Sequence, residues 1–149
     1  MPFLFRHPTE NDAKMLLDWR TSPEIAARME TQVEYDIERQ KDWIAACNAR
    51  DDYVHFVVML EDTQEPVGYS SFKNIDWVNK TCVTGFYLVL GPKKNSLATF
   101  FHNFNSDYCF HALKMEKMFF SVREDNTGIL KGLAIRNIQP IRKEGDLFC

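Results

Sequence analysis

The chain has 149 residues, a formal net charge of -3 and 26% charged residues of both signs mixed along its length, enough for one sizeable core but not for two comfortable domains. This balance offers no whole-molecule field to nucleic acid, and no apolar run approaches the roughly 18 residues that a membrane span needs, so neither partner is expected. The four cysteines, Cys47, Cys82, Cys109 and Cys149, form no Cys-x-x-Cys pair, and with the four histidines they never reach metal-ligand spacing, so no metal is expected. They read as buried small hydrophobes or free thiols in a reducing compartment, which makes a soluble cytoplasmic protein the expectation.

Residues 2–6 predict a short first strand. Thr9-Glu-Asn-Asp12 then offers an N-cap and a polar first turn to a helix in which Met15, Leu16 and Trp19 share one face. Ser22-Pro-Glu-Ile25 repeats the start signal, with proline at the first helical position, and predicts a short helix running towards Met29. Asp36 is placed to cap a third helix, whose apolar stripe is Ile37, Trp43, Ile44 and Cys47. β-Branched and aromatic residues predict strands over 53–60 and 67–75, joined into a hairpin by the turn Glu61–Pro66. A second turn over 76–80 leads to a strand over 82–90. A helix over 97–113, a strand over 117–123, a helix over 127–136 and a last strand within 138–148 complete the chain. No repeat, low-complexity tract or linker interrupts residues 1–149, which read as a single domain. The fold class expected is α/β of the α+β kind, a mixed and largely antiparallel sheet flanked by helices.

The most informative stretch is Cys82 to Asn126: an apolar strand, a short basic turn Gly91-Pro-Lys-Lys-Asn-Ser-Leu-Ala98, a helix ending Tyr108-Cys-Phe-His-Ala-Leu-Lys-Met115, and a strand closed by Arg123-Glu-Asp-Asn126. A turn of small residues at a helix start presents backbone N–H groups and the positive helix end to a pyrophosphate. This order resembles the core of the GNAT acyltransferase superfamily, whose acetyl-CoA loop usually reads Gln/Arg-x-x-Gly-x-Gly/Ala. Lys93, Ser96 and Ala98 stand at the matching positions. Leu4-Phe-Arg-His-Pro-Thr-Glu-Asn-Asp12 and Leu17-Asp-Trp-Arg-Thr-Ser-Pro-Glu-Ile25 fit as well. The second of these is most similar to the nucleotide-sugar amine N-acetyltransferases of pseudaminic-acid-type pathways, which carry a Trp-Arg-Asn-x-Pro-like motif there.

The resemblance implies acetyl-CoA as co-substrate and a small-molecule amine, of a nucleotide sugar, as acceptor. It implies that Phe86, Tyr87, Leu88 and Val89 expose backbone amides to the thioester and pantetheine where the sheet splays. It implies that Lys93, Lys94, Asn95, Ser96, Leu97, Ala98 and Thr99 surround the pyrophosphate, with Asn126 near the pantetheine. Ser96 lacks glycine's freedom at positive φ, so a loop that requires that conformation is strained by it. Arg20 and Met29 correspond to residues near the acceptor nucleotide, and arginine suits phosphate through its bidentate fork. An arginine between helices also commonly makes a structural salt bridge.

The chemistry needs a base or water for the amine proton, an oxyanion donor and, for some thiolates, an acid. Relatives commonly carry the acid as a tyrosine seven residues after the asparagine, where this chain has Leu133. Tyr87, Tyr69 and Ser71 are the available stand-ins. Asp76 is the candidate base, on a turn with Trp77 that could reach the acceptor, and Gln40 stands where pathway relatives often have histidine. His55 and His111, within a strand and a helix, read as packing residues. The leading expectation is an N-acetyltransferase for a nucleotide-linked amino sugar, and the resemblance makes a homodimer an expectation too. The alternatives are an acetyltransferase for protein N-termini or antibiotics, and a degenerate domain of this fold that binds acyl-CoA or a partner without turnover.

Overall fold

An interior strand of the main sheet is β2 (Val54–Leu60), in which His55 to Val58 are buried in succession, as expected of a strand covered on both faces. The computed structural model describes residues 3–29, 31–89, 94–135, 139–145 and 147–149. β2 pairs antiparallel with β1 (Phe3–Arg6) on one side and with β3 (Pro66–Asp76) on the other. β4 (Thr81–Leu88) continues antiparallel to β3, and β5 (Lys117–Phe119) closes the order β1-β2-β3-β4-β5 by lying parallel to β4.

One face of this sheet carries α1 (Ala13–Thr21) and α3 (Ile37–Asn48), with Ala13, Leu16 and Ile44 packed on Val57. Between them lies the single turn α2 (Pro23–Ala26), which starts with proline at its first helical residues as predicted. Asp36 caps α3, its carboxylate accepting the Arg39 amide at 3.1 Å. The other face carries α4 (Lys94–Asp107), whose Phe101 is buried among Phe3, Val58, Val67 and Leu88. α4 ends in a wide π-helical turn, Tyr108–Ala112, which directs Cys109 into a cluster with Phe56, Phe72 and Cys82. Cys47, Cys82 and Cys109 are buried and free.

Two predicted elements take a different form. The strand predicted over 117–123 is broken into β5 and β6 (Val122–Arg123), because the chain leaves β4 after Phe119 and pairs elsewhere. The single last strand predicted within 138–148 is a tight hairpin instead, β7 (Lys143–Glu144) and β8 (Leu147–Phe148), in which Gly145 has φ +59°. β8 is antiparallel to both β6 and β7, giving a second sheet of order β6-β8-β7. Between β6 and β7 in the chain lies α5 (Thr127–Ile135). No described helix is long and apolar enough to cross a membrane.

The junction of β1 and α1 is tied by a bidentate pair, Arg6 Nη1 and Nη2 to the two oxygens of Asp12 at 2.8 and 2.9 Å. The same carboxylate accepts the Thr9 amide at 2.8 Å. The Arg6 hydrogen bond, first among these causes, holds the Asp12 carboxyl below its ordinary value against the opposing effect of burial. A depressed folded value means that the stabilisation is present above the unfolded carboxylate pKa and is lost as pH falls through the folded one. Asp12→Asn is therefore expected to lower stability by about 1–3 kcal/mol at pH 7. In urea unfolding followed across pH, that deficit should shrink as wild-type Asp12 protonates below pH ~4; a deficit independent of pH would assign the effect to packing.

Candidate active site

The decisive local event is the separation of β4 from its neighbour. β5 pairs with β4 only at Thr81, Cys82 and Val83, and the chain that follows joins β8. Past Val83, β4 is paired along β3 alone among the described residues. The Val89 amide donates to the Val67 carbonyl at 2.7 Å. Backbone groups alternate sides along a strand, so Gly85, Tyr87 and Val89 turn their amides to β3, while Phe86 and Leu88 turn theirs to the open edge. Four successive amides were expected to face the cofactor, and the register reduces the strand's share to two. The side chains of Phe86 and Leu88 point the other way, Phe86 meeting Phe101 at 4.8 Å and Leu88 lying in the core.

A cleft of about 890 Å³ runs along this edge. Tyr69, Ser71, Gly85 and Tyr87 line its floor, Arg123, Asn126 and Ile129 one end, and Arg20, Met29 and Thr31 the other, with Gln40 and Trp43 of α3 beside them. The predicted residues Arg20, Met29, Ser71, Phe86, Tyr87, Leu88 and Asn126 thus share one cavity, although they come from five separate segments. Asn126 also starts α5, its carbonyl accepting the Leu130 amide at 3.2 Å. Leu133 lies in that helix, and leucine has no proton to give.

From Lys94 onward, the predicted turn over 91–98 is helix instead. Lys93 lies outside the described residues, whereas Lys94, Asn95, Ser96, Leu97, Ala98 and Thr99 already have helical backbone as the first turns of α4. Ser96 is thus spared the positive φ that would strain it. Leu97 packs towards the core of Phe3 and Phe101, which leaves its backbone for any cofactor contact.

Asp76 and Trp77 stand apart from the cleft. The Asp76 carboxylate closes its own turn by accepting the Val78 and Asn79 amides at 3.0 and 2.9 Å. The Asn79 bonds hold its pKa below the ordinary carboxylate range, which weakens it as a base. Trp77 is half exposed and donates its indole N–H to the Asp51 carbonyl at 2.9 Å.

Arg20, from the last turn of α1, reaches into the cleft without a carboxylate partner among the described residues. Its Nη2 donates to the carbonyl and hydroxyl of Thr31 at 2.6 and 3.2 Å. Its Nη1 is buried with no hydrogen-bond partner among the described residues. A buried guanidinium nitrogen left unpaired costs free energy that an incoming anion would recover. Burial lowers the Arg20 pKa, and its charge pulls back the Tyr87 hydroxyl, which burial drives far above its ordinary value. Tyr87 stacks on Tyr69 with ring centroids 5.7 Å apart and stays protonated, able to donate but not to act as a base.

Sequence reasoning missed a hydrogen-bonded row beneath the floor. Tyr53 and Tyr69 hydroxyls are 3.2 Å apart, and Tyr69 reaches His55 Nδ1 at 2.8 Å. His55 Nε2 reaches Asn48 Oδ1 at 2.9 Å. The available signal was the alternation Tyr53, His55, Val57, which puts two polar rings on one buried face of β2. No group of metal-ligating side chains occurs among the described residues.

A family model, the acetyltransferase (GNAT) domain, matches residues 3–133. The chain belongs to the GNAT acetyltransferase family, and as such it is an acetyl-CoA-dependent N-acetyltransferase. Among solved structures it is similar to the Vibrio cholerae spermidine N-acetyltransferase in complex with CoA and spermine, with TM-score 0.82 and 12% identity over 96% of this chain and 83% of that one. It is also similar to the Campylobacter jejuni N-acetyltransferase PseH, with TM-score 0.76 and 16% identity over 99% and 95%. A domain from Methanocaldococcus jannaschii has TM-score 0.79 and 16% identity over 98% and 94%. At these identities the likeness is one of fold. No curated protein matches the chain.

Proposed function

We propose that this enzyme transfers the acetyl group of acetyl-CoA to the primary amine of an anionic small molecule, of which a nucleotide-linked amino sugar is the best-fitting class. The observation that carries the acceptor is the unpartnered Nη1 of Arg20 inside the cleft. Of the other charged residues lining the cleft, Arg39 and Glu34 pair with each other at 3.3 Å, Arg28 lies 3.8 Å from Glu24, and Asp36 caps α3, so none of these carboxylates is left free for a cationic acceptor. A polycationic amine would want free carboxylates there.

On the cofactor side, the open edge at Phe86 and Leu88 suits the pantetheine arm, an extended chain whose amides can pair with a strand as a peptide does. Asn126 lines that end. Lys93, Lys94 and the first turns of α4 supply positive charge and helix-start amides for the pyrophosphate. Buried free thiols suit a reducing compartment, the cytoplasm. A homodimer is the state to look for by light scattering.

The test is calorimetry with acetyl-CoA followed by turnover with a nucleotide-linked 4-amino sugar, 2-aminoethyl phosphate and spermidine. Acetyl-CoA should bind, and the anionic amines should have a kcat/KM at least about tenfold above that of spermidine. Preference for spermidine would overturn the anionic acceptor. Cofactor binding without turnover of any amine would favour the degenerate domain.

A further inference from the structure

The hydrogen bonds beneath the cleft floor have a direction that can be worked out from one end. Asn48 Nδ2 donates to the Pro8 carbonyl at 2.8 Å, which fixes its amide so that Oδ1 faces His55. Oδ1 can only accept, so His55 Nε2 carries the proton and Nδ1 is the bare acceptor. The Tyr69 hydroxyl at 2.8 Å from Nδ1 must then donate to it, and its oxygen must accept from the Tyr53 hydroxyl at 3.2 Å. Every proton in the row points inward, away from the cleft that Tyr53 and Tyr69 line. The Tyr53 oxygen, which Ser71 and Cys47 also approach, carries two lone pairs beside the proton it donates.

We infer that this row, Tyr53 to Tyr69 to His55, is a proton path that accepts the proton of the attacking amine and returns it to the departing thiolate. The inference rests on the acceptor being an amine. The amine nitrogen forms its bond to the thioester carbonyl carbon, and the carbonyl π pair moves to oxygen. The nitrogen then loses a proton to the Tyr53 oxygen, as Tyr53 passes its own proton to Tyr69 and Tyr69 passes its own to His55 Nδ1. Collapse of the oxyanion breaks the carbon–sulfur bond. The imidazolium proton travels back outward by the same oxygens to the thiolate, leaving amide, CoA thiol and the starting tautomers.

The surroundings favour a transient visit over storage. Arg50 is held by Asp52 at 2.8 Å and Arg6 holds Asp12 at 2.8 Å, so neither carboxylate is free to neutralise an imidazolium. His7 approaches the His55 carbonyl at 3.3 Å and adds no negative charge. Burial, and then His7, depress the His55 pKa to about 4, so the ring rests neutral and releases a borrowed proton readily. One path thus serves both as base and as acid, which accounts for a functioning enzyme with Leu133 in place of an acid.

His55→Gln tests the path, because an amide can keep bonds to Asn48 and Tyr69 but cannot take up a proton. The variant, Tyr69→Phe and the double variant are compared with wild type by acetyl-CoA calorimetry, thermal unfolding and turnover with 2-aminoethyl phosphate, spermidine and water. His55→Gln should fold and keep its acetyl-CoA affinity while kcat falls by about 100-fold or more. Tyr69→Phe should lose a similar factor, and the double variant should be no worse than about threefold below either, as for groups acting in series. A His55→Gln enzyme within about threefold of wild type, or losses that multiply in the double variant, would overturn the path. So would a wild type that transfers acetyl to neither amine nor water. A preference for spermidine would defeat only the anionic acceptor and leave the His55→Gln comparison standing.

Discussion

Arg20→Gln is expected to raise KM for an anionic amine by about 10–100-fold, the loss of one charge-assisted contact, with kcat and acetyl-CoA affinity little changed. Interactions made equally in ground and transition states appear in KM alone, and Arg20 is placed to hold the acceptor, apart from the thioester. The Thr31 carbonyl and hydroxyl orient the guanidinium from Nη2, which leaves Nη1 to the ligand. Glutamine is too short and lacks the fork; Arg20→Lys, with charge but no fork, should fall between the two. Thermal unfolding separates this role from a structural one. Removing an unpaired, half-buried cation should leave the melting temperature unchanged or higher. An unchanged KM, or a fall in stability that carries every kinetic parameter with it, would remove Arg20 from the acceptor site.

Gly68→Ala is expected to cost about 3 kcal/mol in urea unfolding and to weaken acetyl-CoA binding in the fraction that remains folded. Gly68 sits on β3 opposite Leu88. A methyl there would strike the Tyr87 carbonyl oxygen and stand 2.8 Å from Leu88 Cδ2 and 3.2 Å from Leu88 Cα. The nearest obstacle is backbone, which cannot rotate aside, so β4 itself must move. The displaced segment bears the Phe86 and Leu88 amides at the open edge. Gly85→Ala supplies the contrast on β4 itself, since a methyl there would have Ser71 Oγ as its nearest neighbour in space, at 4.0 Å, and fits. Its stability should stay within about 1 kcal/mol of wild type. Equal losses in the two variants would mean that glycine's effect on the unfolded chain, and not the contact with β4, sets the cost at Gly68.

The elements with local signals were the legible ones. Asp36 at the start of α3 and Ser22-Pro23 before α2 act through neighbours one to three residues away, so their chemistry can be read in one dimension. Arg20, Met29 and Tyr87 were found through a motif resemblance, and they do line one cavity. Asp76 was a reasonable base by residue type. Its carboxylate is instead consumed by its own turn, a competition between local hydrogen bonds and long-range chemistry that composition does not reveal. The break between β5 and β6 was equally hidden, because Lys117 to Arg123 has strand character throughout and only its choice of partners divides it.

His55 shows the same division at the level of a single side chain. In sequence it is a polar residue in a buried strand, and packing is the natural reading. Its hydrogen-bond partners, Asn48 and Tyr69, lie 7 and 14 residues away on different elements, and the orientation of Asn48 depends on Pro8, a further 40 residues back. Periodicity and capping were therefore enough to determine the elements and the α+β class, which depend on short-range backbone preferences, while the acetyltransferase family and its co-substrate were implied by the resemblance of a run of motifs in fixed order. Which amides of β4 stay free, which arginine nitrogen lacks a partner and which way the Tyr53 to His55 protons point were decided by tertiary structure alone. Each depends on strand register or on contacts between distant segments, and hydrogen bonding and burial are properties of positions in space.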